Sequence, residues 1–480
     1  MTTHSIDMVQ VARHVVQANG FASDFPPGLV ATIPAHEADE AARDLRDLPW
    51  SSIDNEDSRD LDQIEVAERL PGGEVRVLVG IADVDALVPR GSPIDQFAAA
   101  STTSLYTGVH TFPMLPLELS TDRTSLLADG KDRLCVVTET VVRADGTLDD
   151  ARTQIYVARV ANHAKLVYER VGAWLEGTGE APVGGQPIAD QLKLQDEVAQ
   201  RLRALRHQHG ALELETIEAQ PVMRGDEIVD LAVQHKNRAR ELIEDLMIAA
   251  NGATARFLEH RGRSAIRRVV TQPKRWDRIV ELAAGHDYKL PPAPDAKALS
   301  GFLTAQRAAK PDTFADLSLS IVKLLGPGQY VVQHAGAPDQ GHFGLAVQDY
   351  AHSTAPNRRY PDLITQRLLK ACVANAPAPY SDDDLAAIAA HCTERENAAR
   401  KVERQMRKVA AAELLSSRIG HVFDAIVTGV TDSGTFARLL EPPAEGRVVR
   451  GEHGLDVGDR VRVKLVDTVP ARGFIDLVRV

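Results

Sequence analysis

Cysteine is scarce in this chain. Cys135, Cys372 and Cys392 lie far apart in 480 residues, and no CxxC pair occurs. That spacing excludes a zinc ribbon or a disulfide framework and suits a reducing compartment. An excess of positive charge is also missing: the formal net charge is −12, which excludes a protein that coats nucleic acid through global charge. Any nucleic-acid partner must be held in a local basic groove. No apolar run approaches the length that crosses a bilayer. The start, Met1 to Asp7, lacks a basic stretch followed by an apolar core, so no signal peptide is visible. Internal repeats and low-complexity tracts are missing too. These absences lead us to expect a cytoplasmic protein, a monomer without a membrane partner.

At this length the chain should divide into roughly three domains. Residues 1–48 are expected to be helical, possibly helix-turn-helix-like: Ile6, Val9, Val11, Ala12, Val15 and Val16 mark one amphipathic helix ended by Asn19-Gly20, and Ala35 to Leu48 reads as a second. Residues 49–415 mix strands, up to about 160, with long helices such as 188–208, 237–260 and 382–419; 341–347 reads as a strand. Residues 421–480 carry five short alternating strands separated by Gly- or Pro-rich turns, the pattern of a small OB barrel. The expected class is therefore α+β and multidomain. In the barrel, Phe423 and Phe436 with Arg438 could form a stacking face for single-stranded nucleic acid, or both rings could belong to the core.

The most informative stretch is Asp54 to Glu65, with six acids in twelve positions. Carboxylates this crowded repel one another unless a cation sits among them, and hard oxygen ligands suit magnesium, manganese or calcium. A solvated acidic loop is the plain alternative. An EF-hand is a sharper one, because Asp54, Glu56, Ser58, Asp60, Asp62 and Glu65 fall at loop positions 1, 3, 5, 7, 9 and 12 of that motif. However, Arg59 occupies the position that requires glycine, and the flanks are strand-like. A metal site in which Asp54, Asp60 and Asp62 converge fits better. Asp60 and Asp62 face the same way in extended chain.

Six separated pieces resemble one family in the same order. They are Ile53-Asp54 with Arg59-Asp60-Leu61-Asp62; Gly80-Ile81-Ala82-Asp83-Val84; Phe112-Pro113-Met114-Leu115-Pro116 with Leu119-Ser120; Ala164-Lys165-Leu166-Val167-Tyr168; Ile243 to Asn251; and Thr354 to Tyr360. Together they resemble the catalytic (RNB) domain of the ribonuclease II/ribonuclease R exoribonucleases, over roughly residues 50 to 410. The terminal barrel resembles the RNA-binding module that ends these enzymes. The resemblance implies processive 3′→5′ hydrolysis of single-stranded RNA to nucleoside 5′-monophosphates with magnesium, for which manganese can substitute. It implies Asp54, Asp60 and Asp62 as metal ligands, Asp62 and Arg358 as catalytic residues, and Arg358, preferred over its neighbour Arg359, as the phosphate clamp. By the same matching Tyr168 would stack on the terminal base, Tyr106 would set the length of the final product, and Glu244 would contact the terminal nucleotide.

Three departures stand out. Gln63 occupies the position of a fourth aspartate, and an amide oxygen binds a hard cation without bringing charge. The two cold-shock-type domains that precede the family's catalytic domain are replaced by the short helical segment. No aromatic lies between Trp174 and Phe257 to serve as the family's other stacking ring. The rivals to an exoribonuclease are therefore a catalytically impaired RNA-binding relative and a different metal phosphodiesterase.

Overall fold

The computed structural model describes residues 7–480 except 36–40, 216–218, 226, 234–235, 271–272, 274, 339–340 and 432–433. Helix α1 (Met8–Ala18), capped by the Asp7 carboxylate on the Gln10 N–H, opens it. The second helix expected at 35–48 is not formed in its described part. Residues 43–44 make a short strand β1 (Arg43–Asp44) and a turn follows, while 36–40 lie outside the described residues. The reason is tertiary: β1 adds to the edge of a sheet by pairing parallel with a later strand, a contact that helical propensity cannot foresee.

That sheet organises the catalytic-domain region. Its strands are β1, β2 (Ser51–Asp54), β3 (Gln63–Arg69), β4 (Val75–Ala82), β7 (Asp132–Val142), β8 (Gln154–Ala161) and β9 (Ala164–Val167), in the order β1-β8-β7-β4-β3-β2-β9. The intervening β5 (Leu105–Tyr106) and β6 (Thr111–Phe112) form a separate hairpin. Helices α2 (Pro93–Ser101) and α3 (Leu117–Ser120) lie in the same interval, and α4 (Tyr168–Leu175), α5 (Gly185–Gln208) and α6 (Arg238–His260) follow. The central strands are buried on both faces, which explains why β4 and β7 read as near-continuous apolar runs. Val75, Val77, Val79 and Ile81 face a core shared with α5 and α6, and Leu78 and Ala82 face the opposite core around Trp50. At Gly80 a Cβ would lie 3.2 Å from both Cys135 Sγ and Ile64 Cγ1 and 3.5 Å from the Trp50 ring. Glycine there lets the indole approach the sheet.

Several elements carried no clear sequence signal: the hairpin β10 (Ala219–Arg224) and β11 (Glu227–Val233), the pair β12 (Ala265–Val269) and β13 (Gln329–Gln333), and α8 (Ala296–Ala309) between α7 (Trp276–Ala284) and α9 (Pro311–Leu325). The strand expected at 341–347 is a 3-10 turn, Phe343–Leu345, with isolated bridges from His342. Helix α10 (Tyr360–Val373) is pinned by a buried polar network. The Arg367 guanidinium, 3% exposed, donates to Asp85 (2.8 Å), Asp95 (2.8 Å), the Tyr380 hydroxyl (2.8 Å) and the Val88 carbonyl (2.6 Å).

Helix α11 (Asp382–Ser416), opened by a capping box at Ser381 and Asp384, leads to the last domain. There β14 (Val422–Thr431), β15 (Gly434–Leu439), β16 (Glu445–Arg450), β17 (Arg460–Val469) and β18 (Phe474–Arg479) close into a barrel, as expected of an OB fold. The barrel packs tightly on α11. Gly473, at φ +66°, lies so close that a Cβ would meet the Lys408 backbone at 2.9 Å. The expected stacking trio is not one face. Phe423 shares the inward parity of Ala425 and Val427, Phe436 lies outward, and Arg438 is held by Asp316 of α9 at 3.0 Å. Among the described residues no helix is long and apolar enough to cross a membrane.

Candidate active site

β2 and β9 run parallel, with Asp54 opposite Val167. The last residue of β2 and the first residue of α4, Tyr168, therefore emerge at the same edge of the sheet. Between β2 and β3 the chain makes the acidic loop, and this loop is held by main-chain contacts. Lys165 Nζ donates to the carbonyls of Glu56 (2.8 Å) and Ser58 (2.5 Å), Ser125 Oγ donates to the Arg59 carbonyl (2.6 Å), and the Leu61 N–H donates to Ser125 Oγ (2.9 Å). Asp54 Oδ1 accepts from the Asn55 N–H (2.7 Å) and the Ser58 hydroxyl (2.8 Å). A loop so fixed keeps its carboxylates in place despite their repulsion.

The loop forms one wall of a cavity of about 280 Å³. Asp54, Asp60, Asp62 and Gln63 line it together with Tyr106 and Tyr168, with Arg240, Ile243 and Met247 from one stripe of α6, and with Thr354 and Arg358 from the loop before α10. Six of the seven residues expected from the sequence thus meet in one place. The exception is Glu244. It is not among the lining residues, and its carboxylate pairs with Lys236 Nζ at 3.1 Å. Residue 244 lies one turn after Arg240, on the flank of the same helix face, and its carboxylate is drawn to Lys236 and not to the cavity.

Asp62 is 2% exposed. Its Oδ1 accepts the Asn357 N–H at 3.0 Å and its Oδ2 accepts Arg358 Nε at 3.1 Å. Burial pushes its carboxyl up to about 7 even though Arg358 and that N–H pull the other way. Asp60 is also raised, mainly by burial, with Asp54 and Asp57 adding repulsion. The rest of the Arg358 side chain, 46% exposed, opens to the cavity with the Tyr106 hydroxyl beside it. Arg359 points elsewhere, donating to the fully buried Asp362 at 2.7 Å and to Thr354 Oγ1 at 3.4 Å. Of the two neighbouring arginines, Arg358 therefore faces the cavity.

Arg240, Asn55, Ser58 and Thr354 were not foreseen from the sequence. Arg240 stands 4.4 Å from the centre of the Tyr168 ring and donates to Asn55 Oδ1 at 3.0 Å. Only its place one turn before Ile243 could have signalled it.

The oxygens at this wall suit a hydrated divalent ion. Among the described residues no three His, Cys, Asp or Glu side chains form a set that could hold a metal by themselves. Asp54, Asp60, Asp62 and the Gln63 amide instead offer oxygens from one wall of an open cavity. This fits magnesium, which keeps several waters and is held by one or two carboxylates plus substrate phosphates. The burial that raises Asp62 and Asp60 is the other half of that fit, since a nearby cation would offset it.

A cavity that joins aspartates, two arginines and two tyrosines, on a domain followed by a five-stranded barrel, has the composition of a site that handles a phosphodiester chain. Comparison with known proteins narrows the class. Residues 42–375 match the RNB domain, and residues 421–480 match the RNase II-type exonuclease C-terminal S1 domain. The chain belongs to the ribonuclease II/R family. It is 31% identical to ribonuclease R of Thermotoga maritima, over 91% of this chain and 65% of that one, and 31% identical to ribonuclease R of Escherichia coli, over 88% and 52%. The chain spans between about half and two thirds of the length of these relatives. In fold it is similar to Mycoplasma genitalium RNase R in complex with ribose-methylated single-stranded RNA (TM-score 0.88, 23% identity, 99% of this chain and 78% of that one). It is also similar to yeast Ssd1, a pseudonuclease (TM-score 0.73, 18% identity, 95% and 57%).

Proposed function

We propose that this chain is a magnesium-dependent exoribonuclease that digests single-stranded RNA processively from the 3′ end and releases nucleoside 5′-monophosphates. The carrying observation is the pairing of a buried Asp62 with an Arg358 whose guanidinium reaches into the cavity lined by Asp54, Asp60, Tyr106 and Tyr168.

Asp54, Asp60 and Asp62, with the Gln63 amide oxygen, would hold the metal. When bound, the metal supplies Lewis-acid polarisation of the phosphate and an activated water. Arg358 acts on the phosphate itself. Asp62 fixes its Nε and so aims the terminal nitrogens, whose fork stabilises the negative charge that grows on the phosphoryl oxygens. Tyr168, backed by Arg240, offers a ring face on which any terminal base can stack, as suits an enzyme that must not choose among bases. Tyr106 lines the cavity beside Arg358, where it would limit how short a product remains bound. Discrimination against DNA would require a donor or acceptor at the ribose 2′-hydroxyl, and Thr354 and Asn55 line the cavity with suitable groups.

The test is digestion of single-stranded RNA labelled at its 3′-terminal nucleotide. Mononucleotides with magnesium, none with EDTA, and none from Asp62→Asn are expected. Internal cleavage, or DNA cut at the same rate, would contradict the proposal.

Gln63 and the fold likeness to a pseudonuclease favour one second reading, an RNA-binding protein that does not cut. Tight RNA binding without products under magnesium or manganese would establish that alternative.

A further inference from the structure

The loop that carries Arg358 is tied to α6 by one buried amide. Asn251 of α6 is 2% exposed, and its Oδ1 accepts the Ser353 N–H and the Ser353 hydroxyl, both at 2.8 Å. A backbone N–H can only donate, so this contact fixes which end of the amide is oxygen. The other end, Nδ2, is then a donor. It points to Tyr350 Oη at 3.4 Å and to Thr354 Oγ1 at 3.5 Å. A second donor reaches the same hydroxyl, since a guanidinium has nothing to accept with and Arg359 stands 3.4 Å from Thr354 Oγ1.

Both lone pairs of the Thr354 hydroxyl are thus taken, and what it has left to give is its proton. Among the described residues no acceptor receives that proton. Asn251 and Arg359 do not line the cavity, whereas Thr354 does. A chain of fixed polarity therefore runs from the Ser353 main chain through Asn251 to a hydroxyl that can only donate to what enters the cavity. The other neutral groups there are spent differently. The Ser58 hydroxyl donates to Asp54, and Asn55 Oδ1 accepts from Arg240.

We propose that Thr354 donates its hydrogen bond to the 2′-oxygen of one ribose near the 3′ end of a bound RNA, and is the residue by which this site tells RNA from DNA. The 2′-oxygen is the acceptor that RNA has and DNA lacks. Phosphate oxygens are served by Arg358, and a base stacked on Tyr168 needs no hydrogen bond to be held. Asn251 and Arg359 act through Thr354 as positioning residues, because they keep its proton turned to the cavity. The proposal rests on the RNA reading of the site, but it does not require that the chain cut what it binds.

The experiment is a scan of single 2′-deoxy substitutions through the last few riboses of a short single-stranded RNA, with binding followed by fluorescence anisotropy in EDTA. At one position the substitution should weaken binding to the parent chain by about five- to tenfold, the scale of one neutral hydrogen bond. Thr354→Val keeps the shape and removes the hydroxyl. It should weaken the all-ribose RNA by the same factor and erase the difference at that position, as a double-mutant cycle requires. Thr354→Ser should restore the difference. Equal weakening of every oligonucleotide by Thr354→Val would overturn the proposal and assign the hydroxyl to a phosphate. So would a difference that survives Thr354→Val and disappears with Asn55→Ala. If the valine variant does not fold, the parent still decides, because equal binding of all the oligonucleotides overturns the proposal. Binding without any deoxy effect would sink this assignment alone, whereas no binding of any RNA would sink the RNA reading with it.

Discussion

Arg358 Nε donates to Asp62 Oδ2 at 3.1 Å, joining a carboxylate that is 1% exposed to a guanidinium that is 46% exposed. One partner is locked in the interior and the other reaches into the cavity, so the pair transmits the rigidity of the sheet to the phosphate site. Arg358→Lys keeps the charge but loses the fork that serves Asp62 and a phosphate at once. The expected result is a fall in kcat of about 10²–10³-fold with little change in Tm, measured by single-turnover digestion of labelled RNA beside a melting curve.

Arg359 should behave in the opposite manner. It is tied to Asp362, which is fully buried and which also accepts the Ala355 N–H at 2.9 Å. Arg359→Ala leaves that carboxylate without its cation and should cost about 3–5 kcal/mol of stability, read from urea unfolding. Any loss of activity should then follow the loss of folded protein.

Tyr168 is sandwiched between the cavity and Arg240. Tyr168→Ala should weaken binding of a short single-stranded RNA by about 1–3 kcal/mol, with similar losses for poly(A) and poly(U). Fluorescence anisotropy in EDTA would measure this without turnover. A loss confined to one base would argue against a stacking role.

Gln63 lines the cavity as an amide, next in the chain to Asp62. Gln63→Asp adds a charge beside Asp62 and should tighten manganese binding about tenfold, the scale on which shell residues tune metal sites. Electron paramagnetic resonance of free manganese would report it.

His342 should subtract stability on mild acidification. It packs edge-on against Tyr350, and burial with Arg268 nearby lowers its ring from 6.5 to about 4. Above pH 6.5 the ring is neutral in both the folded and the unfolded chain. Between pH 6.5 and 4 the unfolded chain takes up a proton that the folded chain refuses, so the contribution of His342 to stability declines through that window and levels off below it. His352, lowered in the same direction by burial and Arg359, adds to the loss, while Asp62, raised to about 7, works the other way. His342→Gln should therefore be more stable at pH 5 relative to pH 7.5 than the parent is, as followed by Tm at both values.

By itself the sequence determined the acidic loop, because Asp54, Asp60 and Asp62 are near neighbours in the chain and their crowding is visible before any folding. It also determined the barrel, whose five strands alternate with a period of two, and the family, through six pieces in a fixed order. Tertiary structure alone decided the rest. Which of Arg358 and Arg359 enters the cavity depends on Asp62 and Asp362, one of them almost 300 positions away from the pair. Arg240 joined the site through Tyr168 and Asn55, and Glu244 left it through its pairing with Lys236. Residues 43–44 became strand because β8 offered an edge. Local pattern fixes which groups a chain carries, while burial and pairing across distant segments fix which of them face one another.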